Sequence, residues 1–204
     1  ITIIIVLYNS SNIIFECLKF LSKFKIIIVD NGKNSSLLNQ LSKKNNITIV
    51  SKNKNLGFGN AINFAFEFVK TEFFLVLNPD IEINENSISI LLKTATNYEN
   101  CAIAAPLNVP DEDSFGILPE KKIIYKENQK KYHSQLNKEK IYLEGEICVD
   151  VTKGCALLIN SKHFKKVGFF SKNYFLFWEE IDLCRKFLTQ KLSIIVNPSA
   201  IAYH

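Results

Sequence analysis

At 204 residues, with 47% hydrophobic and 22% charged residues, the chain has the make-up of one ample folded domain and not of a disordered tail. Its 25 Lys and Arg against 20 Asp and Glu leave a net charge of +5, which suits an anionic ligand or membrane surface and is too slight to argue for nucleic acid. Five scattered cysteines without a C-x-x-C pair argue against a disulfide framework or a zinc site and for a reducing cytosol, and no apolar run reaches the ~20 residues that span a bilayer.

Thr2–Leu7 is an apolar, β-branched run without the basic flank of a signal peptide, and it predicts a buried strand. The chain carries no Met and starts at Ile1, so an initiator residue is expected to be missing. Lys25–Val29, Ile47–Val50, Phe73–Leu77 and Ala102–Ala105 predict further strands covered on both faces. Between them, Asn12–Leu21 and the Leu37/Leu38/Leu41 pattern predict helices. Ala61/Phe64/Ala65/Phe68 and Ile88/Leu91/Leu92/Ala95 follow the i, i+3, i+4, i+7 spacing of a buried helical face. Such alternation means a mostly parallel, Rossmann-like sheet flanked by helices, whose ligands sit outside the carboxyl ends of the strands.

After Pro106 the texture changes. Leu107–Gly116 reads as loop, and Lys121–Lys140, rich in Lys and Asn, reads as a solvated excursion or as a patch facing an anionic lipid or polymer. Glu127 and Glu139 weaken the second reading. Val149–Lys153 and Ala156–Asn160 predict strands, and Ser161 caps a short helix that stops at Gly168. A helix over Glu179–Gln190 turns Ile181, Cys184 and Leu188 to one face, and Ser193–Val196 is the last strand. His163 is expected to be exposed, and His133 carries no signal.

Four strand ends are polar: Tyr8-Asn9, Asp30-Asn31-Gly32, Asn55-Leu56-Gly57-Phe58-Gly59-Asn60 and Asn78-Pro79-Asp80. Each alone is ordinary turn chemistry, but all four fall on one edge of the sheet. Such a pocket favours a nucleotide. Asp30 can accept from a base N–H or a ribose hydroxyl, Asn9 and Asn60 can donate and accept, and Gly57 and Gly59 let backbone approach a ligand. Asp80 is a hard oxygen ligand suited to Mg²⁺ or Mn²⁺ bridging two phosphates. A G-x-x-x-x-G-K-[ST] loop is absent, and Gly57-Phe58-Gly59 is only a fragment of G-x-G-x-x-G, so a divalent cation must neutralise the diphosphate.

Val29-Asp30-Asn31, Asn55-x-Gly57-Phe58, Asn78-Pro79-Asp80, Gly154-Cys155-Ala156 and Trp178-Glu179-Glu180-Ile181-Asp182-Leu183-Cys184-Arg185 occur in that order. As a set they resemble the family 2 glycosyltransferases of GT-A fold, especially the rhamnosyltransferase-like branch, over nearly all the chain except about Asp111–Asp150. The resemblance implies inverting transfer of a sugar from a UDP- or dTDP-sugar to a hydroxyl of a glycan or lipid-linked glycan. It implies a single domain over residues 1–204, with a nucleotide-binding half at 1–106, a variable insertion at 107–150 and an acceptor and catalytic half at 151–204. Asp30 would contact the base, Asn78 the ribose or diphosphate, and Asp80 and His204 the metal. Glu180 matches the catalytic base, with Asp182 organising the site. Tyr8, Asn9, Asn31, Asn55, Gly57, Phe58, Asn60, Gly154, Trp178 and Glu179 complete the expected substrate-binding set. A cytoplasmic enzyme with peripheral contact at the inner membrane face follows, and no nucleic acid.

The chain departs from that pattern in three places. Asn78-Pro79-Asp80 keeps one acid of the D-x-D-type metal motif, Glu180 stands where Asp is usual, and relatives usually continue past the position of His204. Glu179-Glu180-x-Asp182 also suits the first turn of any helix, where acids gain ~0.3–1 kcal/mol from the dipole. Asp182 could equally pair with Arg185 or Lys186 at helical spacing. Phe175, Phe177 and Trp178 read as core or lid packing, or as an aromatic wall for the acceptor sugar. Two other classes stand beside the transferase. A nucleotidyltransferase would bring a glycine-rich, basic loop after its first strand, and Leu7-Tyr8-Asn9-Ser10-Ser11 has neither Gly nor Lys. A binding-only module would not need Asp80 and Glu180.

Overall fold

The computed structural model describes residues 1–9, 13–32, 35–110, 115–116 and 145–204. The Lys-rich segment 121–140 and the start of the first helix at Asn12 lie outside them. In chain order the elements begin with β1 (Thr2–Leu7), α1 (Ile14–Cys17, continued by a 3-10 turn over Leu18–Phe20), β2 (Lys25–Asp30), α2 (Ser35–Leu41) and β3 (Ile47–Ser51). Next come α3 (Phe58–Phe66), β4 (Phe73–Leu77), β5 (Glu82–Ile83), α4 (Glu85–Asn97), β6 (Cys101–Val109) and β7 (Phe115–Gly116). The last part holds β8 (Ile147–Val149), β9 (Val151–Thr152), β10 (Ala156–Asn160), α5 (Ser161–Lys166), α6 (Glu179–Thr189) and β11 (Ser193–Tyr203).

Among the described residues nine strands form one sheet in the order β3-β2-β1-β4-β10-β6-β11-β5, with β8 paired to β11. The first four run parallel, β10 is antiparallel to both β4 and β6, and β6 and β11 are parallel again. β1 shows why its run is uniformly apolar. Ile3, Ile5 and Leu7 enter the core layer with Ile14, Leu41 and Leu91, while Ile4 and Val6 enter the opposite layer with Ile62, Phe66 and Phe187. Both faces are covered, so a period-2 pattern has no polar side to show.

Register then fixes where function can sit. Leu7 pairs with Asp30, Asp30 with Ser51, and Ile5 with Leu77, so the ends of β1 to β4 line one edge. Because β10 is antiparallel and opens with Ala156 opposite Leu77, Gly154-Cys155 arrives at the same edge from the other side.

Several elements differ from the expectations. β3 is an edge strand and only half-buried, because nothing pairs with its outer side among the described residues. The buried face of α3 is Ala61, Ile62, Ala65 and Phe66; the helix stops at Phe66, which leaves Phe68 exposed. In α6 the buried face is Leu183, Cys184 and Phe187, with Ile181 and Leu188 at its margins. β6 runs on to Val109 and β11 to Tyr203, because a register shift between Asn197 and Ile201 lets the two pair a second time. That ladder claims Leu107–Val109, and β7 pairs with β9, so those residues of the stretch read as loop are strand. The cap of α5 is Asn160, whose side chain accepts from the N–H groups of Lys162 and His163 at 2.9 and 3.1 Å. Ser161 instead donates its hydroxyl to the Thr71 carbonyl at 2.8 Å. His163 is half-buried, with Nε2 3.2 Å from the Glu99 carbonyl oxygen.

Candidate functional site at the carboxyl edge of the sheet

The edge is organised first by Asn31, which is 3% exposed. Its Nδ2 donates to Asn55 Oδ1 at 2.8 Å and to the Gly57 carbonyl at 3.0 Å, and its Oδ1 accepts from Leu56 N–H at 2.8 Å. Asn55 Oδ1 also accepts from Gly57 N–H at 2.9 Å. The Asn31 amide and the Asn55 Oδ1 thus fold the loop that opens α3. Asp30, half-buried beside them, accepts from Gly32 N–H at 3.3 Å.

The two glycines of this loop were expected to admit a ligand. The structure gives another reason for them. Gly57 has φ +77°, and a Cβ on it would stand 2.0 Å from the Phe175 carbonyl oxygen, which accepts from Phe58 N–H at 3.0 Å. A Cβ on Gly59 would stand 3.0 Å from Phe170 Cβ. At both positions the segment before α6 presses on the start of α3 where a side chain would lie. Asn60 donates to the Leu56 carbonyl at 3.2 Å and lines a groove beside Lys52 and Lys54.

Gly154 is different. A Cβ there would meet Glu180 Cβ at 3.4 Å, Glu180 Cγ at 3.6 Å and Phe58 Cε1 at 3.7 Å. The carbonyl of the next residue, Cys155, accepts from Asn78 N–H at 2.9 Å. One junction therefore has Glu180 and Phe58 on one side and Asn78-Pro79-Asp80 on the other. Asp80 has a side chain 44% exposed, with Oδ2 3.8 Å from His204 Nε2. His204 is brought there by the end of β11, its N–H bonded to the Val109 carbonyl at 3.0 Å. Tyr8 is exposed at the end of β1, and Asn9 follows it in the left-handed region at φ 47°.

The start of α6 carries the carboxylates. Phe177 and Trp178 have φ 67° and 70°, and the Trp178 carbonyl accepts from Asp182 N–H at 2.9 Å. Two consecutive left-handed residues reverse the chain so that the first helical turn faces the sheet edge. Glu179 is 4% exposed, and its Oε2 has no hydrogen-bond partner among the described residues. Burial pushes the Glu179 carboxyl above the usual carboxylate range, with the Glu180 charge adding to it. Glu180 is half-buried and is also pushed up by burial, against the opposing pull of its own and Ile181's backbone N–H groups. Asp182 pairs with Lys186 at 3.2 Å, one of the two helical partners expected for it. Phe175, Phe177 and Trp178, read as packing residues or as an aromatic wall, are exposed.

Sequence reading missed the contact between residues 57–59 and 170–175, and the burial of Glu179. A glycine pair at a helix start was the available signal for the first. Cys155 lies in the site, yet burial pushes its thiol up to about 11, so it stays neutral. Among the described residues no group of three or more His, Cys, Asp or Glu is arranged to hold a metal. Asp80 and His204 bring a carboxylate oxygen and an imidazole together on one edge, donor types that suit a divalent ion.

Comparison with known proteins gives this edge its context. Residues 2–165 match the model of glycosyl transferase family 2. The chain is 27% identical over 214 residues to the low-salt glycan biosynthesis hexosyltransferase Agl10 of Haloferax volcanii, covering 95% of this chain and 63% of that protein. It is 26% identical over 196 residues to rhamnosyltransferase WbbL of Escherichia coli, covering 89% of this chain and 72% of that one. The crystal structure of GalNAc-T7 with UDP, GalNAc and Mn²⁺ superposes with a TM-score of 0.77 at 12% identity, over 100% of this chain and 43% of that one. The chain thus spans less than two thirds of the hexosyltransferase and less than half of the solved neighbour. The likeness in structure shows a GT-A fold, and with the match over most of its length the chain belongs to glycosyl transferase family 2.

Proposed function

We propose that this chain carries out inverting transfer of a sugar from a UDP- or dTDP-sugar to a hydroxyl of a glycan or lipid-linked glycan, with Glu180 as the base. One observation carries the reading: the Glu180 stem lies within ordinary contact of the Gly154 position, at the junction that also bonds Asn78. A carboxylate half out of water next to a bare backbone fits a base that must face a reacting sugar. Inverting transfer needs the acceptor hydroxyl to lose its proton as it attacks, and a placed carboxylate supplies ~10²–10⁴-fold. Burial raises the Glu180 carboxyl toward neutrality, which makes it a stronger proton acceptor than a solvated glutamate.

Asp30 holds the base, and Asn78 borders the ribose or diphosphate. Asp80 and His204 hold a divalent cation which, when bound, offsets the charge of the departing diphosphate as a Lewis acid. Tyr8 and Trp178, exposed at the rim, offer aromatic faces to the substrate. Asp182, tied to Lys186, fixes the first turn of α6, and Glu179 sits behind Glu180. Residues 1–204 act as one domain, with 107–150 as its variable part. The UDP and Mn²⁺ bound in the GalNAc-T7 structure support this assignment, as do the hexosyltransferase and rhamnosyltransferase among the chain's relatives.

The test is donor hydrolysis with and without a chelator. Slow, cation-dependent release of UDP or dTDP should fall at least about 100-fold in Glu180→Gln, while nucleotide binding by calorimetry persists. Unchanged release in that variant removes Glu180 as the base. Binding without turnover on any acceptor favours a binding module, and pyrophosphate release from a nucleoside triphosphate and a sugar phosphate indicates a nucleotidyltransferase.

A further inference from the structure

Directly before α6, Phe175, Leu176, Phe177 and Trp178 are 57%, 54%, 71% and 65% exposed. Four consecutive large apolar side chains in water are unusual on a folded surface and mark an interaction site. The tip is tied to the start of α3 by the Phe175 carbonyl, which accepts from Phe58 N–H at 3.0 Å over Gly57. Beside it runs a groove between β3, α3 and the 169–172 segment, lined by Lys52, Lys54, Lys172 and Phe169. Among the described residues Glu67 is the one acid lining that groove, so the face joins an apolar tip to a cationic flank.

We propose that this face docks on an anionic lipid surface, with Leu176 and Phe177 entering the interface and Lys52, Lys54 and Lys172 meeting the headgroups. Aromatic and aliphatic side chains flanked by lysines are what an interfacial anchor needs, and each lysine near such a surface is worth about fivefold in partition. Among the described residues no helix is long and apolar enough to cross a membrane, so any association they provide is of this surface kind. Docking would turn the carboxyl edge of the sheet toward the bilayer. The inference does not depend on the transferase reading, since binding is measured without donor or acceptor.

A second lysine group, Lys162, Lys165 and Lys166 on α5, lies at the opposite edge, where Asn160 pairs with the start of β4. It supplies a control of equal charge.

The experiment is flotation of the protein with phosphatidylcholine vesicles, with and without phosphatidylglycerol, at low and high salt. The wild type should float only with the anionic vesicles and be released by salt. Lys52→Glu with Lys54→Glu and Lys172→Glu should weaken binding by at least about 100-fold. Leu176→Asn with Phe177→Asn should weaken it at least about tenfold, and Asn tolerates the left-handed backbone at that second position. Lys162→Glu with Lys165→Glu and Lys166→Glu should stay within about threefold of wild type if the flank is specific. No flotation, equal flotation with neutral vesicles, or equal loss in the α5 control overturns the proposal. A concentration-dependent dimer by light scattering that disappears in the Leu176/Phe177 variant also overturns it, by assigning the tip to a second copy. Should that variant unfold by circular dichroism, the lysine sets, which touch only exposed positions, decide alone.

Discussion

Gly154→Ala separates fold from catalysis more cleanly than removal of any charged group. The new methyl would stand 3.4 Å from Glu180 Cβ, 3.6 Å from Cγ and 3.7 Å from Phe58 Cε1, all ordinary contact distances. The native backbone at this position lies outside the left-handed region, so alanine adopts it without strain. Fewer unfolded conformations then favour the variant by about 0.4–1 kcal/mol. At roughly 2–4 °C per kcal/mol for a chain of this size, the melting temperature should stay level or rise by about 1–4 °C. Activity should move the other way. On the proposed reading the donor sugar approaches the bare Gly154 backbone beside the Glu180 stem, so a methyl there displaces it, and a misplacement of about 1 Å costs about 100-fold. That corresponds to about 2.7 kcal/mol of barrier. Scanning fluorimetry and kcat/KM for donor turnover read the two effects, and UDP affinity should change little because the proposed nucleobase contact, Asp30, lies on β2. Wild-type kcat/KM in a folded Gly154→Ala protein would show that no sugar passes this backbone, and Glu180 would lose its assignment.

Gly57→Ala should behave oppositely, with both stability and activity lost: left-handed strain of about 1–3 kcal/mol adds to a Cβ placed 2.0 Å from the Phe175 oxygen. A lower urea midpoint at unchanged slope reads it. Asn31→Ala should cost about 1–3 kcal/mol, because Leu56 N–H and the Gly57 carbonyl lose a buried partner; a melting temperature within about 1 °C of wild type would deny the scaffold role. Glu179→Gln should stabilise the fold at neutral pH and not in acid. The folded-state pKa is raised by burial, so the wild type is favoured below the unfolded carboxyl pKa and loses that stability as pH rises through the folded value, whereas the amide does not titrate. Melting curves from acid to neutral pH should therefore diverge upward from a common start.

The parallel half of the sheet was legible because buried strands leave uninterrupted β-branched runs, and the polar residue after each run marks the edge without any knowledge of register. Asp30, Asn78 and Asp80 could be placed this way. The rest depended on contacts between distant segments. Nothing local says that Gly57 and Gly59 exist for Phe175 and Phe170, since a glycine beside a ligand and a glycine beside a backbone carbonyl have the same sequence. Asn160 and Ser161 are equally good caps by residue type, and the choice between them is made by the Thr71 carbonyl, which takes the serine hydroxyl. The second ladder between β6 and β11 needs a register shift at Asn197–Ile201, which no periodicity announces.

The first turn of α6 remains the place where the ordinary and the functional readings compete. Acids complementing a helix dipole gain ~0.3–1 kcal/mol when they lie at the surface. Here Glu179 is buried with one oxygen unpartnered, and Glu180 is partly desolvated, so both carboxyls are pushed up where a dipole alone would hold them down. The helix also begins through two left-handed residues, Phe177 and Trp178, at a cost of about 1–3 kcal/mol each. Stability alone would favour a solvated first turn and a relaxed approach to it. Both features accompany a Glu180 stem packed within contact distance of Gly154, the placement on which the proposed role of Glu180 rests.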